Sequence, residues 1–96
     1  MLDIDEFKAI NDRYGHVTGD EVLRQTARLL ESNTRRVDLC ARLGGEEFAV
    51  ILAADLSAEK LFGIAEGIRC AFEEHDWSTV APGLTVTVSV GLPERC

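Results

Sequence analysis

Two adjacent glycines constrain this 96-residue chain more than any other feature. Gly44-Gly45 separates two strand-prone stretches, residues 38–42 and 48–53. Glycine tolerates positive φ, so the pair predicts a tight turn, and the flanking stretches close into a β-hairpin. Gly44-Gly45-Glu46-Glu47 then forms its tip. Residues 48–53 are continuously apolar with β-branched members, which predicts a central strand buried on both faces.

The rest of the chain alternates with that hairpin. Asp3-Ile4-Asp5 reads as the end of a first strand, and residues 7–14 as a short helix stopped by Gly15. Thr18 and Glu21 have capping-box spacing, which predicts a longer helix running to about Arg35. Val22, Leu23, Ala27 and Leu30 give it one apolar stripe. Ser57 is placed to cap another helix, ending near Glu74, with Leu61, Ile64, Ala65, Ile68 and Phe72 on its core face. From Leu84 to Val90 apolar and hydroxyl residues alternate strictly, so a half-buried strand with helices on one side is expected. The order β-α-α-β-β-α-β argues an α+β fold: an antiparallel or mixed central sheet flanked by helices.

Hydrophobic residues at 46% and charged residues at 28% describe one ordinary globular domain and exclude disorder. The formal charge of −7 disfavours bare nucleic acid and anionic membrane, which both need positive charge on the protein. A nucleotide remains compatible if a divalent cation neutralises its phosphates. The cysteines, Cys40, Cys70 and Cys96, are odd in number and form no CxxC, so neither a disulfide framework nor a zinc site is indicated. Cys40 and Cys70 read as inert core thiols. A reducing, cytoplasmic setting fits them, and neither a signal-peptide pattern nor a membrane-length apolar run occurs.

Asp3 at a strand end and Glu46 and Glu47 at the hairpin tip are the acidic positions that stand out. If the first strand pairs beside the hairpin, Asp3 and Glu46 converge at one sheet edge, where hard carboxylate oxygens suit Mg²⁺. On its own, a carboxylate at a hairpin tip is usually a solvated turn residue. Gly44-Gly45 lets backbone approach a ligand without Cβ obstruction. Lys8, near the start of the first helix, can meet a triphosphate, as can the backbone N–H groups there. In isolation it reads as a surface lysine. Asn11, His16 and Asp20 crowd the junction between the two early helices. An amide and a carboxylate can together read a guanine edge, although each is also a common turn or cap former.

In order and spacing, these residues resemble the GGDEF family of diguanylate cyclase domains. The resemblance rests on Asp3-Ile4-Asp5-Glu6-Phe7-Lys8-Ala9-Ile10-Asn11-Asp12, on Gly15-His16 and Gly19-Asp20, on Arg42-Leu43-Gly44-Gly45-Glu46-Glu47-Phe48, and on Val86-Thr87-Val88-Ser89-Val90-Gly91. Each piece is weak alone, and the ordered set, covering nearly the whole chain, is specific. It implies a palm-like nucleotide cyclase fold and condensation of two GTP molecules into cyclic di-GMP with release of pyrophosphate. It further implies Mg²⁺ or Mn²⁺ held by Asp3, the Ile4 carbonyl, Glu46 and Glu47, with Glu46 also the general base for the attacking 3′-hydroxyl. Lys8 becomes the phosphate contact that stabilises the transition state. Asn11 and Asp20 become guanine readers, and Phe7, His16, Gly44 and Gly45 belong to the same substrate site.

Because each such domain holds one GTP, the resemblance implies a two-fold homodimer, with a sensory domain elsewhere in the parent protein. Arg35-Arg36-Val37-Asp38 matches the family's RxxD product-inhibition site, through Arg35 and Asp38. Its usual second arginine is missing, since residues 63–67 read Gly-Ile-Ala-Glu-Gly and the next arginine is Arg69. The chain also reads as a single partial domain over residues 1–96, without the family's usual C-terminal helix and strand. The alternative reading is therefore a catalytically weak or inactive module that binds GTP or cyclic di-GMP as a receptor.

Overall fold

The computed structural model describes residues 1–35, 38–52 and 56–91. Eight elements follow in order: β1 (Leu2–Ile4), α1 (Phe7–Tyr14), α2 (His16–Ser32), β2 (Leu39–Gly44), β3 (Glu47–Ile51), α3 (Ala58–Glu74), a 3₁₀ turn (Trp77–Thr79) and β4 (Val88–Val90). The four strands form one antiparallel sheet in the order β2-β3-β1-β4. The α+β class and the element order expected from the sequence hold.

The sheet is two-faced because side chains alternate along each strand. Leu2, Ile4, Phe48 and Val88 are buried, and they join Val22, Leu30, Ile68 and Phe72 from α2 and α3 in a single core. Asp3, Glu47 and Ser89, which are register partners across β3, β1 and β4, are exposed on the opposite face. Leu39 and Ile51, paired across β2 and β3, are exposed as well. The predicted two-sided burial of residues 48–53 is therefore incorrect: only the core side of β3 is covered, and Phe48 is its buried residue. The predicted end of that strand at Ala53 lies outside the described residues.

Other boundaries differ for local reasons. Gly15, with φ 93°, makes the corner between the early helices, so α2 starts at His16 and not at a Thr18 cap. Glu21 closes no capping box; its carboxylate accepts from Arg24 Nε at 3.0 Å and from Gln25 Nε2 at 3.2 Å. The helix ends at Ser32, short of Arg35, where the Asn33 and Thr34 side chains take the Leu29 and Leu30 carbonyls. The strand expected over residues 38–42 runs from Leu39 to Gly44. Ser57 does cap α3, accepting from the Lys60 N–H. Leu84 to Val90 keeps the expected alternation of burial, yet only Val88–Val90 is laddered, because β1 offers just three partner residues before the chain turns into α1. The 3₁₀ turn was not anticipated; Trp77 fills the end of the core there, stacked on Phe72 with its indole N–H donated to the Phe72 carbonyl. Cys40 and Cys70 are half-buried free thiols, less enclosed than core positions. Cys96 lies outside the described residues.

Candidate active site

The β2–β3 tip is shaped by one extra residue. Arg42 pairs with Phe48 and Gly44 with Glu47, so Leu43 is the unmatched residue of a bulge. Gly44 and Gly45 adopt φ 149° and 51°, and a Cβ on either would meet open space. Glycine is thus required here by backbone conformation, and it leaves the tip unobstructed. The Arg42 guanidinium donates to the Gly45 carbonyl at 3.0 Å and braces the turn.

That tip lies against the end of β1. The Ile4 N–H donates to the Glu46 carbonyl at 3.2 Å, and Asp3 stands opposite Glu47 in the register. The pairing of β1 with β3 expected from the sequence therefore holds, and it places the backbone of Asp3 and Ile4 beside Glu46 and Glu47. Glu46 is half-buried, whereas Asp3 and Glu47 are exposed. Among the described residues no three acidic, imidazole or thiol groups form a complete protein-only metal cage. Carboxylate and backbone carbonyl oxygens are the donor type that suits Mg²⁺, an ion usually completed by water and substrate phosphate. On donor chemistry, the residues fit such an ion.

From β1 the chain turns sharply into α1. Asp5 does not point to the tip; its carboxylate accepts from Thr87 Oγ at 2.8 Å and Ser89 Oγ at 2.6 Å, while its N–H donates to the Thr87 carbonyl. Glu6 follows in the left-handed region, φ 55°, at the helix N-cap with no side-chain cap. Phe7 is half-buried and Lys8 is exposed one residue later. Sequence reading assigned Asp5 no task, and its partners, 82 and 84 residues away, explain why.

α1 and α2 then pack against each other. Asn11, one turn beyond Phe7, places its amide against Gly19 of α2, next to Asp20. Asp20 and His16 are exposed and one turn apart on α2. Among the described residues, Asp3, Lys8, Asn11, His16, Asp20, Glu46 and Glu47 have no side-chain hydrogen bond or ion pair with other groups of the chain. Some charges elsewhere are paired. The Arg69 guanidinium bonds Glu66 through Nε and Nη2 and also reaches Glu73 through Nη1. Its hydrogen bonds hold the Glu66 carboxyl below the ordinary glutamate value and raise Arg69 further.

Arg35 and Asp38 meet one another directly. The Arg35 N–H donates to Asp38 Oδ2 at 2.9 Å, and its guanidinium reaches Oδ1 at 3.2 Å. They line a cleft of about 480 Å³ with Glu31, Thr34, Leu39 and Cys40. It opens at the start of β2, roughly 17 Å of strand from the glycine tip, so it is a second locus. Arg36 and Val37 of that tetrapeptide lie outside the described residues.

Comparison with known proteins matches residues 1–93 to the family of the diguanylate cyclase GGDEF domain. The chain is 46% identical over 92 residues to diguanylate cyclase A of Treponema denticola, covering 96% of this chain and 24% of that protein. It is 50% identical over 95 residues to the response regulator PleD of Caulobacter vibrioides, covering 96% and 20%. Among solved structures, the active GGEEF domain of a Vibrio cholerae diguanylate cyclase superposes with a TM-score of 0.80 at 40% identity, over 91% of this chain and 54% of that one. The GGDEF domain of DgcB from Caulobacter crescentus, solved with c-di-GMP, gives 0.79 at 37% identity, over 92% and 53%. The chain thus spans about a quarter or less of these curated relatives and about half of these solved chains.

Proposed function

Since the chain belongs to the GGDEF family of diguanylate cyclase domains, we propose that it forms one half of a site that condenses two GTP molecules into cyclic di-GMP. The observation that carries this reading is the glycine tip laid against β1, which gathers Asp3, the Ile4 backbone, Glu46 and Glu47 at one end of the sheet.

Asp3, the Ile4 carbonyl and Glu46, with Glu47 assisting, would hold Mg²⁺ or Mn²⁺. Such an ion would supply charge neutralisation of the triphosphate and of the oxygens that gain charge. Glu46 accepts the proton of the 3′-hydroxyl of one GTP. That oxygen forms a bond to the α-phosphorus of the other GTP as the bond to pyrophosphate breaks, and two such transfers close the ring. Lys8 meets phosphate oxygens with a fixed positive charge. Asp20 accepts from guanine N1–H and N2–H₂, Asn11 matches the remaining edge, and Phe7 and His16 line the same pocket. Gly44 and Gly45 leave room for backbone to approach the nucleotide.

One domain supplies one nucleotide, so the working unit is a homodimer. A sensory domain in the parent protein brings two copies together, in the cytoplasm where GTP is available. No helix among the described residues is long and apolar enough to cross a membrane. The Arg35–Asp38 cleft supports binding of product at a second site. Residues 63–67 carry no arginine to complete that site, which argues that such binding is weak.

The test is incubation with GTP and Mg²⁺ and chromatographic detection of cyclic di-GMP. Product formation should rise more than linearly with protein concentration, and Glu46→Gln should abolish it while leaving the melting temperature in place. Binding of GTP without any turnover at high protein concentration would favour the receptor reading. Unchanged turnover in Glu46→Gln would overturn the assignment.

A further inference from the structure

Gly19 is buried on α2, at the crossing with α1. It sits inside a helix, where glycine is disfavoured relative to alanine, and its φ is not in the positive range that would require it. What the position provides is space. A Cβ built there would stand 1.8 Å from Asn11 Oδ1 and 3.0 Å from its Cγ, so the amide would have to swing away, whereas the Phe7 ring at 3.5 Å would be an ordinary neighbour. The two glycines of α3, Gly63 and Gly67, meet nothing within 4 Å, so the fit is particular to this crossing. The hydrogen that replaces the Cβ points at the amide oxygen, a weak C–H···O contact.

We propose that Gly19 is a positioning residue for base recognition: the space left by its missing side chain seats the Asn11 amide beside Asp20 and so fixes which purine edge the pair accepts. The inference rests on the proposed base-reading role of Asn11. α1 and α2 are joined only through Gly15, so the direction of the amide is not set by the turn alone. The seat at residue 19 fixes it before ligand arrives, which spares the ordering loss that a freely rotating amide would incur on binding.

The experiment is a double-mutant cycle of Gly19→Ala and Asn11→Ala, read by titration with the α,β-methylene analogues of GTP and ATP and by melting temperature. Gly19→Ala should reduce the guanine-over-adenine preference roughly five- to tenfold, the effect of one neutral hydrogen bond. Asn11→Ala should do the same. The double variant should be no worse than either single one, because the new Cβ then meets only the Phe7 ring. In melting temperature, Gly19→Ala should gain less in the wild type than in the Asn11→Ala background, where alanine's better helix propensity is no longer opposed. Full guanine preference in Gly19→Ala, with loss in Asn11→Ala, overturns the proposal and leaves base reading standing. Full preference in Asn11→Ala overturns base reading by that residue, and the proposal with it. Equal, additive losses across the cycle also overturn it, since residue 19 would then act without Asn11.

Discussion

Replacing Asp5 by alanine should loosen the joint that carries β1 into α1. Its carboxylate accepts two hydroxyl hydrogen bonds, from Thr87 at 2.8 Å and Ser89 at 2.6 Å. Both bonds are open to solvent, so each is assigned the net value of an ordinary hydrogen bond, about 0.5–1.5 kcal/mol, and not the higher figure for buried charge. The loss expected for Asp5→Ala is therefore about 1–3 kcal/mol. That is a sizeable share of the roughly 5–14 kcal/mol expected for a domain of this length. Asp5→Asn keeps one acceptor oxygen and should lose about half. Urea unfolding is the assay, with the midpoint shifted and the slope unchanged if only native contacts are removed. In a Thr87→Val, Ser89→Ala background the same substitution should lose little, under about 0.5 kcal/mol, since the partners are already gone. A full loss in that background, or under about 0.5 kcal/mol in the wild type, would refute the clamp.

Three further outcomes follow from the packing and the turns. Phe72→Ala removes a fully buried ring stacked on Trp77 and should destabilise by about 3–5 kcal/mol in the same unfolding assay. Gly45→Ala places a Cβ at φ 51° and should lower stability by about 1–2 kcal/mol, although nothing crowds the position. The Glu66 carboxyl is held below its ordinary value of 4.5 by its Arg69 hydrogen bonds, so its contribution is complete above that value and is lost as pH falls through the lowered one. The melting-temperature advantage of wild type over Glu66→Gln should therefore be present at neutral pH and gone in strong acid; an advantage that persists unchanged into acid would contradict this.

Features set by neighbours in sequence were legible, and those set by distant neighbours were not. The bounds of α1 follow from Gly15, and the start of α3 follows from Ser57, whose oxygen meets an N–H three residues on. Capping logic misplaced α2 because Thr18 and Glu21 have the right spacing but Gly15 had already turned the chain. The apolar run of β3 suggested burial on both faces, yet its composition could not reveal that the helices pack on one side only. The short ladder of β4 was likewise hidden, because its length is limited by β1, more than 80 residues away in the chain.

The site divides along the same line. Asp3, Glu46 and Glu47 were legible as a group because a hairpin tip and a strand end have few places to go in a small antiparallel sheet, and the register Asp3 to Glu47 brings them together. Asp5 reads in sequence as the twin of Asp3, two residues on. Alternation alone would put both on one face. What separates them is the hydroxyl pair on Thr87 and Ser89, which engages Asp5 and leaves Asp3 without a partner among the described residues. Gly19 has the same history. In sequence it stands out only as the partner of Asp20 in Gly19-Asp20, with nothing to show what its missing side chain does. Only the crossing of α1 and α2 shows that its missing side chain is where the Asn11 amide lies. Candidate ligand groups thus announce themselves by residue type, while the contacts that surround them are found only once the chain is folded.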